Sequence, residues 1–291
     1  MIQSRLSRPA LVLFVALCLA ACAAPQGPQV LDRNLNAASV ANEAAALFGD
    51  GKFPEAEQRY RLGLSQNRSD VALRLGLASS LAKQVSELGS RGGGEAMKGE
   101  AITIFNVLLK ERPDAVGVLM GAGAGFAELG DRMRALSLFE QAFSKTSDLQ
   151  LASVALRNYA TIAYDVGLFP ESISASLRAY ETAPSAVEAS RHLALLNPLG
   201  MKAEAVAFAG RVTPLYGNDG EVLVRSAAAF AANGDCIQAR QVAERVLELG
   251  KLRDKFRIDA ALIVDWCLGT NRLGELSAEE LRTWPVSLKP E

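Results

Sequence analysis

Few side chains in this chain can do acid–base or nucleophilic chemistry near neutral pH. There is one histidine, His192, and there are four cysteines, Cys18, Cys22, Cys236 and Cys267. A Ser-His-Asp or Cys-His site would have to be built on His192. The residues around Cys236 and Cys267 form no nucleophile motif. H-E-x-x-H, C-x-x-C and acidic calcium-loop patterns are absent, so no metal site is expected. Gly121-Ala122-Gly123-Ala124-Gly125 is glycine-rich, but Phe126 stands where G-x-G-x-x-G needs its last glycine, and no strand precedes it. It reads as a mid-helix stretch where close packing wants small side chains. Asn67-Arg68-Ser69 matches the glycosylation triplet and is read as chance. The expectation is a non-enzymatic protein with no catalytic residue, no metal and no bound cofactor.

Cys22 has the most distinctive setting of the four cysteines. Arg5 and Arg8 precede an apolar run from Ala10 to Ala24, 15 residues long, that contains Leu19-Ala20-Ala21-Cys22. A spanning helix needs roughly 18–20 residues. A positive start, a short apolar segment and small residues before a cut site make a secretory signal. The segment resembles a bacterial lipoprotein signal with its lipobox; a transmembrane helix and an ordinary secretory signal are the alternatives. The resemblance implies that residues 1–21 are removed and that Cys22 becomes the acylated N-terminus. Ala23 rather than Asp follows Cys22, which in the sorting rule known for enteric bacteria implies the outer membrane, periplasmic face. Residues 22–36, with Pro25, Gly27 and Pro28, read as the lipidated cysteine and a flexible tether. Its fourteen residues after Cys22 reach at most about 46–50 Å.

The precursor carries a formal charge of −1, so no basic field exists to hold nucleic acid. Cys18 falls in the signal and Cys22 takes lipid, which leaves Cys236 and Cys267. Export permits a bridge between them; the alternative is two separately buried thiols.

Beyond Ala37 the chain is rich in alanine and leucine at helical spacing, without sustained period-two alternation. A unit recurs: a glycine turn, then a small residue at the start of a second helix, at Ala56, Ala101, Ala135, Ser172, Ala205 and Ala239. Successive intervals are 45, 34, 37, 33 and 34 residues. The glycine ends one helix in a left-handed conformation. The small residue lets two helices approach, and a bulky residue four later (Tyr60, Phe105, Phe139) fills the gap. This pattern resembles a tetratricopeptide-repeat array. The usual first-helix Trp is missing, and Ser176 and Ala209 replace the expected large residue.

The resemblance implies an all-α tetratricopeptide-repeat solenoid of about six helix-turn-helix units over 37–250, with C-terminal capping helices and tail over 251–291. A first capping helix is expected over Asp254–Leu268. A second starts near Ser277 and Leu281, with Trp284 folded back on the last repeat. The 45-residue interval places a loop insertion at about 85–98, around Gly92-Gly93-Gly94. In arrays of this type first helices line the concave face. That assigns a candidate groove to Phe48, Leu73, Leu77, Met120, Glu128, Arg157, Thr161, Tyr164, Asp165 and Asn197, with no lysine among them. Such a groove suits an amphipathic helix or an extended apolar segment.

A lipid-tethered array without catalytic constellation resembles the tetratricopeptide lipoproteins of the Flp/Tad pilus system and, more broadly, secretin pilotins. The resemblance implies a protein-binding scaffold that assists assembly of a pilus or secretion apparatus. Its partners would be a secretin or another pilus or secretion component, with membrane contact through the lipid and no nucleic acid. The runner-up is a periplasmic adaptor or chaperone for outer-membrane protein insertion or for cell-wall synthesis enzymes.

Overall fold

A computed structural model describes residues 31–89, 92–249 and 254–269. The signal at 1–21, Cys22 and the second capping helix around Ser277 and Trp284 lie outside the described residues. Among the described residues every regular element is a helix, and the chain divides into two compact units after Leu168.

The N-terminal unit holds α1 (Leu31–Gly49), α2 (Phe53–Gln66), α3 (Val71–Leu88), α4 (Glu95–Glu111), α5 (Val116–Glu128), α6 (Arg132–Lys145) and α7 (Leu149–Asp165). The C-terminal unit holds α8 (Phe169–Thr182), α9 (Ala186–Leu196), α10 (Lys202–Val212), α11 (Gly220–Ala232), α12 (Cys236–Glu248) and α13 (Asp254–Leu268). Each unit has its own apolar core.

The helix ends are set by short local signals. Gly130 takes φ +88° after α5, a conformation that costs a residue with a Cβ but not glycine. The Asp131 N–H then donates back to the Phe126 carbonyl at 2.9 Å, closing the helix in a Schellman-type turn. The Asp131 carboxylate in turn accepts from the Arg134 N–H and opens α6. Gly234-Asp235 repeats the device between α11 and α12. Asp70, Asp148, Ser185 and Asp219 cap the starts of α3, α7, α9 and α11 through their side chains.

The small residue of each second helix is fully buried: Ala56, Ala101, Ala135, Ser172, Ala205 and Ala239 are all at 0–1 % exposure. The bulky partners drop into hollows made by glycines on the neighbouring helix. Tyr60 of α2 covers Gly76 of α3, Phe105 of α4 covers Gly125 of α5, and Phe139 of α6 lies against Gly123. Leu75 of α3 fills the space over Gly121, where an added Cβ would stand 2.8 Å from a leucine methyl. The glycine-rich run of 121–125 is therefore packing: it lets α5 meet α3, α4 and α6 at once.

Two boundaries differ from the sequence expectation. Residues Leu31–Asn36, assigned to the tether, belong to α1. The insertion around 85–98 is mostly helix: α3 has 18 residues and α4 has 17, so only residues 89–94 connect them. Gly92 and Gly93 take positive φ in that connection, and Gly94 opens α4.

Candidate functional site: the first-helix face of the N-terminal unit

Helices α3 and α5 run side by side in the same direction. Leu75 meets Gly121 near one end of the pair, and eight residues on Lys83 meets Glu128. The Lys83 ammonium donates to Glu128 Oε1 at 2.5 Å, with side-chain exposures of 6 % and 17 %. A buried ion pair is costly to desolvate and worth keeping only when well placed; this one sits at the seam between two first helices. Ser79, one turn before Lys83 on the same face, is buried, and its Oγ has no hydrogen-bond partner among the described residues. The sequence expectation places no lysine on this face. The lengthened α3 moves its turn glycine to Gly89, so placing residues by turn glycines skipped Lys83.

Counting back from the turn glycines Gly130 and Gly167, Glu128 on α5 and Asp165 on α7 occupy the same register. Burial pushes the Asp165 carboxyl above its ordinary value, against the pull of Arg132. One of its oxygens is buried without a partner among the described residues. Burial, with the Asp165 charge beside it, also raises the Tyr164 hydroxyl. Thr161 and Arg157 are half-buried on the same helix, Thr161 Oγ1 donating to the Arg157 carbonyl at 3.0 Å. Glu128, Arg157, Thr161, Tyr164 and Asp165 thus form a partly accessible polar set within one unit.

The remaining assigned groove residues go elsewhere. Phe48, Leu73, Leu77 and Met120 are core, not lining. Phe48 stacks edge-on with Phe53 at 5.1 Å, and Leu73 occupies the hollow over Gly63. Their apolar side chains gain more from the helix interfaces than from any open face. Asn197 lies in the C-terminal unit, where its Nδ2 donates to the Arg225 carbonyl at 3.2 Å.

Two further constellations of potentially reactive side chains stand in the C-terminal unit. His192 Nδ1 lies 2.7 Å from Ser176 Oγ, a nucleophile–base distance. Both side chains are buried, at 3 % and 5 %, and the imidazole stands edge-on to Phe208 at 4.6 Å. Burial, helped by the Arg211 charge, lowers the imidazole to about 4. The ring is a neutral core hydrogen-bonding group. The unfolded chain binds a proton that the folded chain refuses between about pH 6.5 and 4, so stability falls as pH falls through that window. The loss expected on reaching pH 4 is about 3 kcal/mol. Urea titrations across that range measure it, and His192→Gln flattens the profile.

Cys236, first residue of α12, and Cys267 of α13 are joined as a disulfide with Cα atoms 5.1 Å apart. It ties the last described helix to the helix before it. No group of three or more His, Cys, Asp or Glu side chains placed to hold a metal occurs among the described residues, and none of their helices is long and apolar enough to cross a membrane.

No protein-family model matches the chain, and no curated protein matches it. Solved structures do. The chain is similar to the Pseudomonas aeruginosa pilF structure at 13 % identity and a TM-score of 0.54, covering 79 % of this chain and 99 % of that one. The fold is that of tetratricopeptide repeats. A tetratricopeptide repeat protein from Parabacteroides merdae is 19 % identical over 80 % of this chain and 85 % of its own, with a TM-score of 0.46. YrrB, described as a TPR protein with an unusual peptide-binding site, is 15 % identical over 70 % and 96 %, with a TM-score of 0.47. At these identities the likeness extends to fold alone.

Proposed function

We propose that the protein is a non-enzymatic scaffold, anchored by lipid on Cys22 to the periplasmic face of the outer membrane. There it binds a secretin or another component of a pilus or secretion apparatus. The observation that carries the binding role is the half-buried polar row of Glu128, Thr161, Tyr164 and Asp165 on the first helices α5 and α7. The anchoring role rests on Leu19-Ala20-Ala21-Cys22 behind Arg5 and Arg8. One acyl chain gives marginal membrane residence and two or more hold stably. Lipoproteins of this type carry three, so the scaffold stays at the membrane where its client is assembled.

Two experiments test this reading. Cys22→Ala is expected to move the protein from the membrane fraction to the soluble periplasmic fraction; a variant still in the outer membrane without partners contradicts the anchor. Capture from crosslinked envelopes is expected to recover secretin and pilus components. Recovery of barrel-insertion machinery or murein enzymes in their place favours the adaptor role and sinks the pilus role.

A further inference from the structure

The Cys236–Cys267 bridge does not sit in the core. Cys236 is the first residue of α12 and Cys267 stands in the last turn of α13, so the bridge joins the start of one helix to the end of the next. Both cysteines are half-buried. Their chain neighbours are apolar and exposed: Ile237 at 76 %, Leu268 at 49 % and Trp266 at 41 %. Exposed apolar side chains scattered singly need no explanation, but several gathered around one feature mark a contact surface.

The two sulfurs are not equivalent. The first turn of a helix presents unbonded N–H groups and partial positive charge, and the last turn presents carbonyls and partial negative charge. A departing thiolate is therefore held better at Cys236 than at Cys267. Asp235, the residue before Cys236, spends its carboxylate on the Gln238 N–H at 3.1 Å. In thiol–disulfide exchange the attacking thiolate bonds one sulfur and expels the other, and the better-stabilised thiolate leaves faster. Attack thus falls on Cys267 Sγ.

We propose that Cys236–Cys267 is an exchange site for a dithiol oxidoreductase that docks on the apolar rim of Ile237, Trp266 and Leu268. A thiolate of the partner attacks Cys267 Sγ, the bond to Cys236 breaks, and Cys236 leaves as a thiolate and takes up a proton. The partner's second thiol then attacks the partner's own sulfur in the mixed disulfide and releases Cys267 as a thiol. Two electrons and two protons pass from the partner dithiol, which ends as a disulfide. The reverse path installs the bridge, with the partner's disulfide as oxidant. The bridge at the centre of the rim names the occupant, because a reactive sulfur pair is the chemistry that a disulfide answers. Reduction leaves α13 held by Phe256, Ala260 and Ile263 in the second core. Exchange therefore sets how firmly the last described helix closes the C-terminal unit. This goes beyond client binding, which is assigned to the other unit.

The probe is a thioredoxin-fold Cys-x-x-Cys reductase whose second active-site cysteine is replaced by serine, mixed with the oxidised mature chain in native buffer. It is expected to be trapped as a mixed disulfide on Cys267, read by peptide mapping. With the intact reductase, Ile237→Ser combined with Leu268→Ser is expected to slow bridge reduction about tenfold or more, the scale of losing part of two apolar side chains from a contact. Dithiothreitol is too small to use the rim, so its rate is expected to stay the same. Both substituted positions are exposed, and the thermal midpoint of the double variant is expected to stay unchanged.

A bridge that the reductase opens only beyond the unfolding transition is a structural staple, and that result overturns the proposal. A mixed disulfide on Cys236 alone overturns it too, as does a double variant reduced as fast as the unsubstituted chain. Equal slowing with dithiothreitol places the effect at the bridge itself and removes the docking rim.

Discussion

Phe105→Ala is expected to destabilise the N-terminal unit by about 3–5 kcal/mol, the range for emptying a buried aromatic site. The ring is fully buried, covers Gly125 and lies 5.5 Å from the Phe126 ring. The same geometry makes Gly125→Leu disruptive alone, because the new side chain and the ring claim one volume. Combined, the two changes exchange knob and hollow. The double variant should be more stable than the sum of the singles by at least about 1 kcal/mol. Denaturant unfolding of the four proteins, with hydrogen exchange over 71–128 to localise the loss, measures both quantities. Strict additivity would show that the run at 121–125 is not the packing device described.

Breaking the Cys236–Cys267 bridge is expected to cost the C-terminal unit about 3–4 kcal/mol, from the chain entropy of a loop closed across a sequence separation of 31. The α13 helix is held besides by Phe256, Ala260 and Ile263, buried in the second core. Serine at both cysteines should therefore raise amide exchange across Asp254–Leu268 most, with little change over residues 31–168. Two free thiols in the mature protein under non-reducing conditions would remove the bridge from the account.

The repeat was legible because its requirements are local. A positive-φ glycine, a capping aspartate and a buried small residue recur at Gly130-Asp131 with Ala135 and at Gly234-Asp235 with Ala239. Each states its reason in side-chain size and backbone freedom. The insertion was misread because Gly92-Gly93-Gly94 dominated the reading, while Ala82–Leu88 and Glu95–Glu100 are mostly good helix formers that simply extend α3 and α4. The groove was half legible for a different reason. Apolar spacing finds the residues that leave water but not which neighbouring helix receives them. Phe48, Leu73, Leu77 and Met120 therefore read as lining when they are core. The polar members, Glu128 through Asp165, keep a partly exposed place because charged and polar groups resist full burial. Lys83 escaped notice because its burial depends on a partner 45 residues away, a pairing that no local pattern encodes.

The central claim is that an envelope client binds on the first-helix face of the N-terminal unit. Photo-crosslinking in living cells tests it most directly, with the reactive side chain placed at Thr161 on that face or at the exposed Met133 on second helix α6. The account predicts a crosslink to a secretin or pilus component from Thr161 and none from Met133. A crosslink to that component from Met133 alone, or crosslinks from Thr161 only to barrel-insertion or cell-wall proteins, would contradict it.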